Sequence, residues 1–158
     1  MTAPSQTRWI AGMAAWTVAF ATAHAWAGET ALPAEKTNHG ISYVSGGVGL
    51  DESTALKAAR EDYSLDIETF QSNHGRNEYT AAVPLTITKP SGEVVFEAPT
   101  EGPFTLLRLP PGRYIVHAKH QGQTQHRQVD VGNGLGAKAS FVFQPGAQAQ
   151  ASEARPSN

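Results

Sequence analysis

The sequence predicts a mainly β fold, an antiparallel two-layer sandwich of about seven strands with one short helix on its N-terminal side. Three observations carry that expectation. Short runs with a two-residue apolar period recur from Leu65 to Phe143, separated by Gly- and Pro-containing turn signals. One stretch, Asp51 to Tyr63, has a helical period instead. Gly102 to Val116 reads as strand, rigid corner and strand: Pro110 and Pro111 fix φ and lack a donor, while Gly112 accepts the positive φ of a tight reversal.

The 158 residues leave room for one domain. Residues 1–27 read as a secretory signal peptide, with Arg8 as a positive n-region and an apolar run from Trp9 to Thr22. Two small-x-small sites follow, Ala23-His24-Ala25 and Ala25-Trp26-Ala27; cleavage after Ala27 leaves Gly28 first, with Ala25 as the alternative. The leader has no twin arginine, which points to the general secretory route and a periplasmic or secreted product. No stable membrane insertion is expected once it is gone. Its removal takes all three tryptophans and Arg8, moving the formal net charge from −2 to −3. A weakly acidic, mixed surface argues against nucleic acid as the partner. With no cysteine, stability must come from an apolar core and sheet hydrogen bonds.

Residues 28–40 are polar and aperiodic, a flexible linker; residues 144–158 read as a disordered tail; the folded part is 41–143. Leu56, Ala59 and Tyr63 form a helical stripe, with Asp51 and Glu52 at the favourable end of the dipole. Glu61 and Asp62 sit at the unfavourable end, so the last turn should fray. Leu65, Ile67 and Thr69 alternate with Asp66 and Glu68, a half-buried strand, and Asn73 to Asn77 is a turn. Val83, Leu85 and Ile87 alternate next, with Pro84 suggesting an edge strand or a bulge. Pro90-Ser91-Gly92 leads into Val94 to Phe96, and Glu101-Gly102-Pro103 into Phe104 to Leu109. After the corner come Tyr114, Val116 and Ala118, a Gln121-Gly122 hairpin into Thr124 to Val131, and a last strand from Ala137 to Phe143. Phe96, Phe104, Tyr114, Phe141 and Phe143 are all assigned to the core by alternation.

Few residues offer chemistry. Gly46-Gly47-Val48-Gly49 precedes the helix, but no Lys-Ser/Thr follows and the dinucleotide spacing is missing, so it reads as a connection. If Gln121-Gly122 are the central hairpin residues, His117 faces His126 on the outward side, a two-imidazole pair able to hold a divalent metal weakly; otherwise both are solvated. His120 falls on the other face. Asp66 and Glu68 invite an acid–base reading, but such a pair usually marks a solvated face. There is no cysteine or glycine-framed serine nucleophile. Tyr43 and Tyr79 are candidates for an aromatic ligand platform, with packing at the sheet margin as the competing reading. Beside the corner, Arg108 and Arg113 are the charged positions to test for a partner.

The ordered pieces Val83-x-Leu85-x-Ile87, Ser91-Gly92, Gly102-x-Phe104-x-Leu106 and Leu109-Pro110-Pro111-Gly112-Arg113-Tyr114-x-Val116 are followed by Gly122 and Val129-x-Val131. Together they resemble the carboxypeptidase regulatory-like domain, a transthyretin-like (Ig-like) sandwich, with its core here at 79–143. The resemblance implies a structural role for Pro110, Pro111, Gly112 and Tyr114. It also implies a non-catalytic companion domain: zinc carboxypeptidases carry their ligands elsewhere, beginning with His-x-x-Glu, which this chain lacks. Hydrolases of the same fold end in Tyr-Arg-Gly-Ser, where this sandwich ends Ser140-Phe141-Val142-Phe143. The expectation is an exported, cofactor-free, non-enzymatic binding or scaffolding module of a Gram-negative cell envelope, its partner an envelope protein or a glycan. The alternatives are a carbohydrate-binding module, since related folds bind starch, and a weak metal-binding envelope protein.

Overall fold

Ten strands and one helix follow one another in the computed structural model, which describes residues 32–132 and 136–145. They are β1 (Lys36–Asn38), β2 (Ile41–Gly46), α1 (Leu50–Ala58) continued by a 3₁₀ turn (Ala59–Asp62), β3 (Leu65–Asn73) and β4 (Arg76–Tyr79). Then come β5 (Pro84–Thr88), β6 (Val94–Pro99), β7 (Phe104–Leu107), β8 (Gly112–His120), β9 (Gln123–Val131) and β10 (Ala137–Phe143). The segment expected to be a signal peptide, the start of the expected linker, Asn133-Gly134 and most of the expected tail lie outside the described residues. No helix among the described residues is long and apolar enough to cross a membrane.

The mainly β, two-sheet expectation holds. Sheet A runs β1-β2-β7-β3-β10, with β4 also paired to β3, and sheet B runs β6-β5-β8-β9. The chain changes sheet between β4 and β5, β6 and β7, β7 and β8, and β9 and β10, which sews the layers together. Four details differ from the sequence reading. The described residues hold ten strands, not about seven. The sandwich is not wholly antiparallel, since β10 runs parallel to β3, Leu65 opposite Ala137 and Gln71 opposite Phe143. The linker is not all irregular: Lys36–Asn38 pairs with Ile41–Tyr43. Finally, 79–143 is not a self-contained core, because β7 lies between β2 and β3, and β10 pairs only with β3.

Three hairpins share one device. His39-Gly40, His74-Gly75 and Gln121-Gly122 all have positive φ at both positions (49° and 79°, 47° and 77°, 47° and 80°). That is the type I′ geometry whose twist matches paired strands. Pro84 does not mark an edge, since β5 is flanked by β6 and β8. It stands at the first position of the strand, before pairing with β8 begins at Leu85, so its missing N–H costs nothing there. The register shift on β5 falls later, between Ile87 and Thr88.

Between the sheets lies an apolar core that includes Leu65, Ile67, Leu85, Ile87, Phe96, Val116, Phe141 and Phe143. Burial of each such side chain is worth about 1.5–3 kcal/mol. A second cluster sits on the other side of sheet A, where Leu56, Ala59 and Tyr63 cover Val44, Phe104 and Leu106. The predicted helical stripe is therefore the buried one. Its last turn tightens into 3₁₀ geometry instead of fraying. Side-chain amides close the two open sides of the sandwich. Asn38 Oδ1 accepts from Glu97 N at 2.9 Å, and Gln125 Nε2 donates to Val142 O at 2.7 Å.

Candidate functional site

The outer face of sheet A carries most of the fold's polar and aromatic groups that pack together. On β3, Leu65 and Ile67 face sheet B, so Asp66, Glu68 and Phe70 face out. The parallel β10 sets Lys138 beside Asp66, and the β3–β4 hairpin sets Tyr79 beside Phe70. The helix and its 3₁₀ continuation lay Lys57 and Arg60 across the same face.

These residues form one network. Arg60 Nε lies 3.0 Å from Asp66 Oδ2, the Arg60 guanidinium also pairs with Glu68 Oε1, and Lys138 Nζ is 2.9 Å from Glu68 Oε2. The Arg60 guanidinium sits 5.4 Å above the Phe104 ring, and Lys57 Nζ lies 5.3 Å from Phe104 and 5.6 Å from Tyr79. Phe70 and Tyr79 stack at 4.9 Å, and Tyr79 meets Phe104 at 5.0 Å. Asp66 and Glu68 are both 7% exposed, so the expected solvated carboxylate face is instead a covered ion network. Burial pushes the Asp66 carboxyl above its usual range, opposed by Arg60, and its Oδ1 is buried without a hydrogen-bond partner in the described structure. Glu68 is held by Arg60 and Lys138, and Asp66 by Arg60.

The two tyrosine candidates separate. Tyr43 is buried in the inter-sheet core, edge-on to Phe96 at 5.0 Å, and cannot serve as a platform. Tyr79 is 51% exposed, its ring fixed by Phe70 and Phe104 behind it. Nothing in the local alternation distinguished the two. The difference lies in which sheet face each strand position meets.

The histidine register follows the sequence reading: His117 stands opposite His126, with ring centres 6.3 Å apart. His120 is on the other face, 5.3 Å from the Phe143 ring. No group of three or more His, Cys, Asp or Glu converges among the described residues.

At the corner, Tyr114 is buried and its hydroxyl donates to Pro110 O at 2.9 Å. Ser64 Oγ donates to Leu109 O at 2.9 Å and accepts from Leu109 N at 2.6 Å. Gly112 does not take the expected positive φ; it opens β8 opposite Val131, and a Cβ there would lie 3.5 Å from the Tyr114 ring. Hollows of about 340 and 310 Å³ flank the corner, sharing Lys89 and Tyr114, with Pro110 lining the first and Pro111 and Arg113 the second. Arg108 is exposed, donates to Asp62 O and lies 4.2 Å over the Tyr63 ring. Arg113 pairs with Asp130 at the surface.

The glycine-rich loop is a tight connection. Gly47 N donates to Glu52 Oε2 at 2.8 Å, and a Cβ on Gly47 would lie 2.4 Å from Phe104 Cδ2. A Cβ on Gly102 would lie 2.1 Å from Gly46 O. The role of Glu52 as the loop's anchor went unread in the sequence, although a carboxylate at the start of a helix was the available signal. Compared with known proteins, the chain matches no family model and no curated protein.

Proposed function

We propose that this chain is an exported, non-enzymatic binding module of a bacterial cell envelope, of the carboxypeptidase regulatory-like kind, and that it engages its ligand on the outer face of sheet A around Tyr79. The observation that carries the reading is the half-exposed Tyr79 ring, immobilised from behind by Phe70 and Phe104 and flanked by Lys57. A preorganised aromatic face loses little entropy on binding. The absence of a cysteine or glycine-framed serine in the sequence, and the commitment of Asp66 and Glu68 to Arg60 and Lys138, support binding over catalysis. Export rests on the leader, and the family on the motifs between Val83 and Val131.

The test is capture from envelope extracts on the immobilised mature chain, beside Tyr79→Ala. A partner retained by the wild type and lost at least tenfold in Tyr79→Ala supports the reading. Equal capture by both moves the ligand face elsewhere, and turnover in a broad hydrolase screen ends the non-enzymatic assignment.

A glycan is the second reading, because a sugar's apolar face stacks on an exposed aromatic ring while nearby ammonium groups bond its hydroxyls. It expects retention on an immobilised glycan that Tyr79→Ala abolishes.

A further inference from the structure

On the outer face of sheet B, the strand registers line up Glu97 on β6, Thr86 on β5, His117 on β8 and His126 on β9 in one cross-strand row. Two imidazoles stand next to each other at its end, His126 exposed and His117 half-buried, with ring centres 6.3 Å apart and planes tilted by 41°. An imidazole nitrogen binds a divalent late transition metal at about 2 Å, which places each ring centre roughly 3.2 Å from the ion. Two rings sharing one ion then have centres about 4.5 to 6.4 Å apart, for angles at the metal from ~90° to ~180°. The observed 6.3 Å lies at the wide end of that interval, an angle of about 160° at the ion, and a rotation of the exposed His126 side chain brings the rings to the ~5 Å of a bent pair.

We propose that His117 and His126 form a two-histidine site for a divalent late transition metal, copper ahead of zinc, that staples β8 to β9. The ordering follows the general preference of nitrogen sites for copper(II) over zinc(II). Water or an external ligand fills the remaining positions. Glu97 is two strands from His117, about 10 Å away, and lies outside the first coordination shell. Two cations stand near the pair and favour a modest affinity: Arg127, whose guanidinium donates to His126 O at 2.9 Å, and Lys119, outward-facing on β8 and opposite Thr124. The ring of His117 has one competing contact, Nε2 to Thr88 Oγ1 at 3.5 Å, long enough to be surrendered at little cost. Because β9 is an edge strand, an ion held across the pair stabilises the folded state over the unfolded chain in proportion to its occupancy.

This site is independent of the Tyr79 face and is tested separately. Copper(II) and zinc(II) are titrated into the purified chain, with binding read by calorimetry and, for copper, by the nitrogen couplings in its paramagnetic resonance spectrum. The expected result is one ion per chain, a two-nitrogen signature, a rise in Tm larger for copper than for zinc, and a loss of affinity of at least tenfold in both His126→Ala and His117→Ala. His120→Ala, on the opposite face, should bind as the wild type does. Circular dichroism establishes that each variant is folded. The proposal is overturned if the wild type binds no ion, or if binding survives in folded His126→Ala.

Discussion

On β3, Asp66 and Glu68 alternate with Leu65 and Ile67; on β8, Ile115 and His117 alternate with Tyr114, Val116 and Ala118. Both patterns turn one row away from the space between the sheets. On sheet B that row meets solvent, and His126, Thr124 and Gln128 beside it are exposed. On sheet A the equivalent row lies under the helix, where Asp66 and Glu68 are 7% exposed and tied to Arg60. Period-two alternation therefore reports which row avoids the inter-sheet core. It does not report whether a third layer covers the other row. That layer comes from Leu50–Asp62, which supplies both the apolar stripe and the cation the buried carboxylates need.

The comparison breaks most completely if sheet B and its neighbours fold without that third layer. A fragment of residues 79–143 contains all of sheet B, but strands β7 and β10 lack the partners β2 and β3. It should be unfolded, with no dispersed amide spectrum and no cooperative melt. A folded fragment would show that the outer layer of sheet A is an accessory.

A paired substitution sharpens the contrast. Glu68→Gln breaks a covered ion pair and should cost about 3 kcal/mol, which at this size lowers Tm by more than about 10 °C. Glu97→Gln, on the bare face of sheet B, should leave the melting temperature where it was. Equal effects at the two positions would remove the distinction between the faces.

The smallest effect is one of sign. Burial raises the Asp66 carboxyl above its ordinary 3.8 in the folded chain. Between 3.8 and the raised value, the native state holds a proton that the unfolded chain has released, so stability from this group falls as pH rises through that interval and is constant above it. Asp66→Asn has no such slope. Wild-type stability minus that of Asp66→Asn should therefore decline with rising pH in the acidic range and then level off, as measured by urea midpoints. A difference that grows with pH would mean that Arg60 outweighs burial.

Local signals in the sequence were reliable where the structure they specify is local. Gln121-Gly122 sets the β8–β9 register, which is why His117 opposite His126 was legible. The Leu56, Ala59 and Tyr63 stripe was legible from spacing alone. The strand Lys36–Asn38 was missed although His39-Gly40 carries the same two-residue turn signal, because the segment before it has no apolar alternation to announce a strand. The parallel partnership of β3 and β10, the burial of Tyr43 and the half-exposure of Tyr79 depend on pairings between distant segments, and no short window encodes those. Of the candidate site, the sequence named Tyr79, Asp66 and Glu68 but could not bring them together, since Arg60 and Lys138 reach the carboxylates from the 3₁₀ turn and from β10, and Lys57 reaches Tyr79 from the helix.

The parallel pair also sets an order of events. Leu65 waits for Ala137, and β7 must slot between β2 and β3 before the middle of sheet A exists. Within sheet A only the β1–β2 and β3–β4 hairpins can close early, while the β8–β9 hairpin forms on its own schedule in the other sheet. Such long-range closure belongs to chains that fold in milliseconds to seconds, not microseconds. The strand that carries Asp66 and Glu68 is made long before β10, yet it gains its third partner, and its parallel one, only when that strand arrives.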